Sequence, residues 1–403
     1  MSKSTQSCLV LIVLAVGVLL TAFLGLWKYM ESTPPLHPNP QDVPSVTDSA
    51  PLPKWDDAVE QGRQIARASL TEHSLPGLSV AVGAGGEIVW AEGFGWADLE
   101  NRVPVAPNTR FRIGTASTAL TSAAVGLLLE KGRLKLDDKI QTYVPEFPEK
   151  QWPVTLRQLM GHMAGVRTDD GDEGPFQRCE RPVEGLQFFA KNSLLFEPGT
   201  KYRYSSYGWI LVSAAVETAA DEPFLTFMRK QIFDRLSMHD TQADSATEPI
   251  PDRATSYFPR FVEEPRYGLQ VMRQIDYSCY AGSSVFLSTP SDLVRFAMAI
   301  NSGKLLKPAT VQLLQTPQRL ASGEETGYGL GWDLETVTLM GKQTELVGHD
   351  GDSLGGMVAS FMTFPEHGIV VSVTSNISHA DTFAIAVKIA EAFAEQGRSP
   401  ARK

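Results

Sequence analysis

Cysteine is scarce, with three in 403 residues. That is too few for the disulfide framework on which small secreted scaffolds depend. Cys8 lies in a hydrophobic run, which leaves Cys179 and Cys279. These two could pair in an oxidising compartment or remain partly buried free thiols; the outcome turns on whether their Cα atoms come within roughly 7 Å. Positive charge is also short: the formal net charge is −10. A chain that wraps nucleic acid carries a basic face or a basic excess, so that class is excluded. With seven histidines and three cysteines, none clustered, no dedicated transition-metal site is expected. G-x-x-x-x-G-K-[ST], H-E-x-x-H and C-x-x-C are all missing, and no cofactor is implied. The 43% hydrophobic and 20% charged content is that of an ordinary globular chain, neither disordered nor polytopic.

One long apolar run is present. Residues 8–27 read CLVLIVLAVGVLLTAFLGLW without a charge, about 20 residues, the length that crosses a hydrocarbon core of ~30 Å. A cleaved leader would have a shorter apolar region ending in a small-x-small site. This run ends in Leu26, Trp27, Lys28 and Tyr29, which favours an uncleaved anchor with interfacial aromatics. Lys3 and Lys28 flank it on opposite sides, so the positive-inside rule says little. A short leader before a large trailing domain places that domain on the extracytoplasmic side. The expected organisation is a tail at 1–7, an anchor at 8–27, a semi-rigid proline-rich linker at 28–53, one folded domain at 54–396 and a flexible tail at 397–403.

Periodicity predicts a helix over Asp56–Glu72, then strands at Leu78–Val82 and Glu87–Phe94 around the turn Gly83-Ala84-Gly85-Gly86. The middle reads as helical at Ser117–Glu130, Thr155–Met163, Ser206–Ala219, Pro223–Arg235 and Pro290–Asn301. Strands return at Glu345–Gly348, Met357–Phe364 and Ile369–Thr374, before a last amphipathic helix at Thr382–Ala394. The expected fold is α/β: one antiparallel sheet built from both termini and flanked by helices, beside a mostly helical middle region. A site is expected in the cleft between the two.

Three segments carry candidate chemistry. In Arg112-Ile113-Gly114-Thr115-Ala116-Ser117-Thr118-Ala119-Leu120-Thr121, hydroxyls stand at a helix start, where free N–H groups favour negative charge. The same residues also serve as helix caps. Tyr202-Arg203-Tyr204-Ser205-Ser206 precedes another helix, and Gly348-His349-Asp350-Gly351 ends a strand with a pH-responsive side chain.

Their order and surroundings resemble the serine β-lactamase and penicillin-binding-protein superfamily, in particular class C-like esterases and membrane-anchored β-lactamase-like proteins also found in mitochondria. The resemblance runs from about Ala58 to Ala394. It includes Gly132-Arg133-Leu134-Lys135-Leu136-Asp137-Asp138, Tyr143-Val144-Pro145-Glu146-Phe147-Pro148, Thr155-Leu156-Arg157-Gln158-Leu159-Met160-Gly161-His162, Phe196-Glu197-Pro198-Gly199 and Leu287-Ser288-Thr289-Pro290-Ser291-Asp292-Leu293. It implies a nucleophilic serine and a lysine spaced Ser-x-x-Lys, a tyrosine in the proton relay, and a third motif lining the pocket. Tyr204 matches the tyrosine, His349 the first position of the third motif and Gly351 its small residue; Ser117 and Ser206 are implied substrate contacts.

The first motif departs from the family. Thr115 stands at the serine position and Thr118 at the lysine position, and no Ser-x-x-Lys occurs elsewhere. Threonine keeps a hydroxyl but crowds it with a methyl. Without an ammonium nearby, Tyr204 lacks the charge that would make it a base at neutral pH, unless His349 or Arg203 substitutes. Two functions follow. One is a membrane-anchored hydrolase acting on an ester, amide or peptide acyl substrate through Thr115, Thr118, Tyr204 and His349. The other is a non-catalytic relative that binds a ligand or partner in the cleft.

Overall fold

The computed structural model describes residues 3–31, 34–48, 50, 52–168, 177–261, 264–353 and 356–398. Its helices are α1 (Lys3–Glu31), α2 (Asp56–Glu72), α3 (Ser117–Glu130), α4 (Leu156–Met160), α5 (Ser206–Ala220), α6 (Phe224–Met228), α7 (Pro290–Asn301), α8 (Pro308–Leu314) and α9 (Thr382–Arg398). The strands before the cleft's helical part are β1 (Ser45–Thr47), β2 (Gly77–Ala84), β3 (Glu87–Asp98), β4 (Val103–Pro104) and β5 (Phe111–Arg112). After it come β6 (Gln242–Ala243), β7 (Tyr257–Pro259), β8 (Leu269–Val271), β9 (Phe286–Ser288), β10 (Asp333–Leu339), β11 (Lys342–Ser353), β12 (Met357–Phe364) and β13 (Ile369–Ser375).

The main sheet runs β1-β3-β2-β13-β12-β11-β10, with β4 beside β3. Its strands pair antiparallel, and the hairpin β2–β3 joins the C-terminal strands through β2 and β13. The sheet is therefore built from both ends of the chain, as expected. Both of its faces are covered, and alternate residues divide between two cores. Leu78, Val80 and Val82 of β2 pack with α2 and α9, while Ala81 faces the helical region. In β12, Met362 and Phe364 go one way and Ala359 and Phe361 the other. A strand buried on both faces reads as a continuous apolar run, which is why β12 and β13 were plain in the sequence.

α3 is the centre of the helical region: every residue from Ser117 to Leu128 is buried. It stops where Gly132 takes φ +66°, a conformation that costs a glycine little. Just before α3, β5 places Arg112 in a sealed ion cluster. The Arg112 guanidinium donates to Asp244 at 2.6 Å, with side chains 4% and 3% exposed. It also donates to the Ile275 carbonyl, and Arg253 reaches Asp244 at 2.9 Å.

Several elements differ from the sequence reading. The helix expected at Thr155–Met163 ends at Met160, because His162 adopts φ +56°. The helix expected at Pro223–Arg235 is α6 followed by a π turn at Arg229–Phe233 and a 3-10 turn. The strand expected at Glu345–Gly348 is the far longer β11, with β10 as an additional partner. From Lys3, the expected N-terminal tail is already part of α1; the C-terminal tail beyond Arg398 lies outside the described residues.

The expected linker is only partly a spacer. His37 is buried and its ring Nε2 bonds the Leu75 carbonyl at 2.9 Å, Val43 joins the core, and β1 pairs with Glu92–Phe94 of β3. Pairing satisfies a sheet edge that would otherwise be open. Cys179 and Cys279 form a disulfide, with Cα atoms 4.8 Å apart. Closing a loop of 100 residues stabilises the native state by roughly 4–5 kcal/mol in the chain-entropy account.

Because Asp244 is the carboxylate shared by two guanidinium groups in a sealed site, Asp244→Asn should leave buried Arg112 without its counter-charge. An equilibrium denaturation experiment should then show a loss of about 3–5 kcal/mol. A loss below about 1 kcal/mol, the range of a surface pair, would refute this role.

Candidate active site

The turn Gly114–Ala116 leads into α3 and lies against β11. The two backbones are so close that a Cβ on Gly351 would fall 1.8 Å from the Ile113 carbonyl oxygen and 2.7 Å from the Ala116 nitrogen. Only glycine fits there. The Thr115 hydroxyl, at the expected nucleophile position, donates to the Asp350 carbonyl at 3.2 Å. Thr118 turns back one helical step and donates to the Thr115 carbonyl at 2.8 Å.

Tyr204 arrives from the segment before α5, whose N-cap is Ser205. Its hydroxyl is sealed and makes no hydrogen bond. Burial pushes its pKa far above the ordinary tyrosine value; the nearby Thr115 hydroxyl draws it down a little, and Asp333 and Tyr202 push it further up. Among the described residues, no cation figures in its surroundings. Arg203 instead directs its guanidinium to Thr168 at 3.5 Å. Tyr204 is therefore a neutral phenol.

The Tyr204 ring stacks on His162, with centroids 4.0 Å apart. His162 is 2% exposed. The Ser205 N–H points at its Nδ1 at 3.1 Å and the Trp209 indole N–H at its Nε2 at 3.4 Å. Donors face both ring nitrogens, so a second proton has no acceptor. Burial, with His349 as the lesser cause, lowers its pKa to about 3.

His349 stands on β11 and is tied elsewhere. Its Nδ1 contacts the Asp350 carbonyl and lies 3.5 Å from an Asp333 carboxylate oxygen. Nδ1 then carries the proton, and Nε2 accepts from the Tyr328 hydroxyl at 2.9 Å. Tyr328 is itself pushed well above the usual range by burial and by Tyr204 and Asp333. Burial raises Tyr202 to about 12. Burial also lifts Asp350 to about 6.

The structure thus brings Thr115, Thr118, Tyr204, His349 and Gly351 together where α3 begins. Ser117 is fully buried, its hydroxyl without a partner, so it is not open to a ligand. Ser206 opens α5, half-buried, directly after the cap. Sequence reasoning treated His162 only as a flank and passed over Tyr328, Asp333 and Trp209. The run Tyr328-Gly329-Leu330-Gly331-Trp332 carried a usable signal, since a Cβ on Gly331 would meet the Trp209 ring at 2.5 Å. A further string, Gly351-Asp352-Ser353-Leu354-Gly355, spells G-x-S-x-G. Its first three residues are the end of β11, so the serine stands on a strand and not at the strand-to-helix elbow that exposes a nucleophile.

A sheet of this order, a buried central helix opening beside its strand, and these three segments facing one another define a β-lactamase and transpeptidase-like fold. A sequence model of the beta-lactamase family matches residues 56–395, and the chain belongs to that family. The serine beta-lactamase-like protein LACTB, mitochondrial, of Homo sapiens is 28% identical over 83% of this chain and 80% of its own length. Penicillin-binding protein 4* of Bacillus subtilis is 27% identical over 70% of this chain and 63% of its own length. Among solved structures, the D-amino acid amidase of Ochrobactrum anthropi superposes with a TM-score of 0.72 at 23% identity, covering 85% of this chain and 100% of that one. The octameric penicillin-binding protein homologue from Pyrococcus abyssi gives 0.68 at 23%, covering 82% and 76%. At these identities the two structures speak for the fold alone.

The pKa of His162 gives a prediction with a definite sign. A histidine held near 3 when folded and near 6.5 when unfolded leaves stability intact above pH 6.5. That stability is lost as pH falls towards 3, because only the unfolded state takes up the proton. The loss should reach about 2 kcal/mol by pH 5, at 1.36 kcal/mol per unit. Asp350, raised to about 6, works in the opposite direction over part of that range. A His162→Asn variant should lose the His162 component, so its stability should fall less between pH 6.5 and 5. Parallel curves for the two proteins would disprove the assignment.

Proposed function

We propose that this chain is a membrane-tethered member of the beta-lactamase family that keeps the cleft as a binding site for a small acyl compound or peptide and has lost efficient acyl transfer. One observation carries this reading. The relay tyrosine has a buried hydroxyl whose polar neighbour is the Thr115 hydroxyl, and among the described residues no cation stands near it to draw its pKa down. A phenol in that state cannot take a proton from Thr115 at neutral pH. His349 does not replace the lysine, because its accepting nitrogen is engaged by Tyr328. Removing the nucleophile of a well-studied serine hydrolase costs about 10⁶ in turnover, roughly 8 kcal/mol of barrier. Loss of the activating lysine acts on the same step.

The tether is α1, whose segment Leu11–Tyr29 is long and apolar enough to cross a bilayer and is not buried in the protein. The Cys179–Cys279 disulfide supports an oxidising, extracytoplasmic compartment for the domain. A second reading, slow hydrolysis by Thr115, draws on its hydroxyl lying beside Tyr204 at the start of α3.

Intact mass after exposure to a penicillin and to a serine-reactive phosphonate separates the two. The Thr115→Ser, Thr118→Lys double variant runs in parallel. We expect an adduct on the double variant and none on the unaltered chain. An adduct on the unaltered chain would overturn the binding-only reading, and peptide mapping would say whether Thr115 or Ser353 carries it. An adduct on neither would show that the cleft is not an intact acylation site awaiting two side chains.

A further inference from the structure

The hairpin β7–β8 stands apart from the main sheet and close to the end of α1. The Tyr29 ring meets Phe261 edge-on, with centroids 6.2 Å apart, and its hydroxyl accepts from the Arg260 guanidinium at 3.2 Å. Arg260 also donates to the Leu269 carbonyl, so one side chain joins the hairpin's two arms to the last turns of the apolar helix.

The length of the tether leads to the same place. His37 is already docked in the domain, and residues 32–36 are all that separate it from Glu31 at the end of α1. Six extended Cα steps reach at most about 20 Å. A domain held so closely to a spanning helix lies against the bilayer.

The hairpin's chemistry suits that position. Val271 is 59% exposed on β8. Arg266 lies over the Tyr267 ring at 4.7 Å, and Phe261 and Arg260 occupy the same end. Of the segment's two acidic residues, Glu263 and Glu264, Glu264 is paired with Arg266 at 3.6 Å. Aromatic rings and guanidinium groups at the turn of a hairpin, with an exposed aliphatic side chain on its second arm opposite Tyr257, are what the headgroup zone of a membrane accommodates.

We propose that the arms of this hairpin, Tyr257–Phe261 and Glu264–Val271, are a second membrane contact, seated in the lipid headgroup zone beside the end of α1. This rests on the reading of α1 as a membrane anchor. The contact also bears on the cleft. A Cβ on Gly356, where β12 begins, would lie 2.5 Å from the Tyr257 carbonyl oxygen and 2.9 Å from Met272. The hairpin therefore buttresses the strand pair that carries His349 and Gly351, and its seat on the bilayer fixes how the cleft is presented.

The test uses the full chain in nanodiscs of phosphatidylcholine and phosphatidylglycerol. A benzophenone-bearing amino acid replaces Val271, Leu19 or Leu313 in three separate preparations, and adducts are identified by mass. Lipid adducts are expected at Leu19 in α1 and at Val271, and about tenfold less at Leu313 on α8. In the Val271 preparation, adding Arg260→Ala and Phe261→Ser should reduce the lipid adduct by about tenfold; the same pair should leave the Leu19 adduct and the unfolding midpoint unchanged. Lipid at Leu19 but not at Val271 would overturn the hairpin contact and leave the anchor standing. Lipid at neither would overturn the anchor and this contact together. An adduct from Val271 to a second copy of the chain would replace the bilayer with a protein partner and overturn the proposal.

Discussion

The cleft depends on one backbone contact. β11 runs so close to the turn before α3 that Gly351 has the Ile113 carbonyl where any Cβ would be. The contact sets the distance between the Thr115 hydroxyl and the wall that carries His349. Behind it, the Arg112–Asp244–Arg253 cluster fixes β5, and β5 fixes the turn. None of these restraints involves a residue that would take part in acyl transfer. The frame of the site and its reactive groups are therefore separable, and side chains in the frame can change without moving its walls.

That separation explains how Thr118 is tolerated. A lysine in a buried cleft needs counter-charges; a threonine needs only one acceptor and finds it in the Thr115 carbonyl one helical step back. The cost falls on Tyr204, whose sealed hydroxyl is left without a partner. An orphaned buried polar group of this kind costs about 1–3 kcal/mol.

Much of the architecture was legible because it is locally encoded. β12 and β13 are long apolar runs, α9 presents Ile385, Ala386, Ile389, Ala390 and Phe393 at helical spacing, and α3 carries only small hydroxyls among its apolar residues up to Leu129. What escaped is set by partners distant in the chain. β1 lies in a proline-rich stretch and is a strand only because the edge of β3 accepts it some 45 residues later. Leu334, Val337 and Leu339 of β10 break strict alternation, so pairing with β11 defines that strand, not its own pattern. Cys179 and Cys279 are 100 residues apart, and their pairing was open until the fold brought them together. His162 looked like the end of a helix; its significance comes from Tyr204, Trp209 and Tyr328, which arrive from later segments.

The perturbed aromatic side chains of the cleft share a direction. Burial lowers His162 and raises Tyr202, Tyr204 and Tyr328, and every one of these shifts favours the uncharged form. General acid–base catalysis requires the reverse, a group whose two protonation states are close in free energy at working pH. A family lysine would supply that by placing a positive charge among these rings and drawing a tyrosine down. With threonine in its place only the Thr115 and Thr118 hydroxyls work against desolvation of Tyr204 and Tyr328, and the aromatic cluster settles into neutral, hydrogen-bonding chemistry. Such a lining discriminates ligands by shape and by where they place donors and acceptors, which is the behaviour of a receptor more than of a hydrolase.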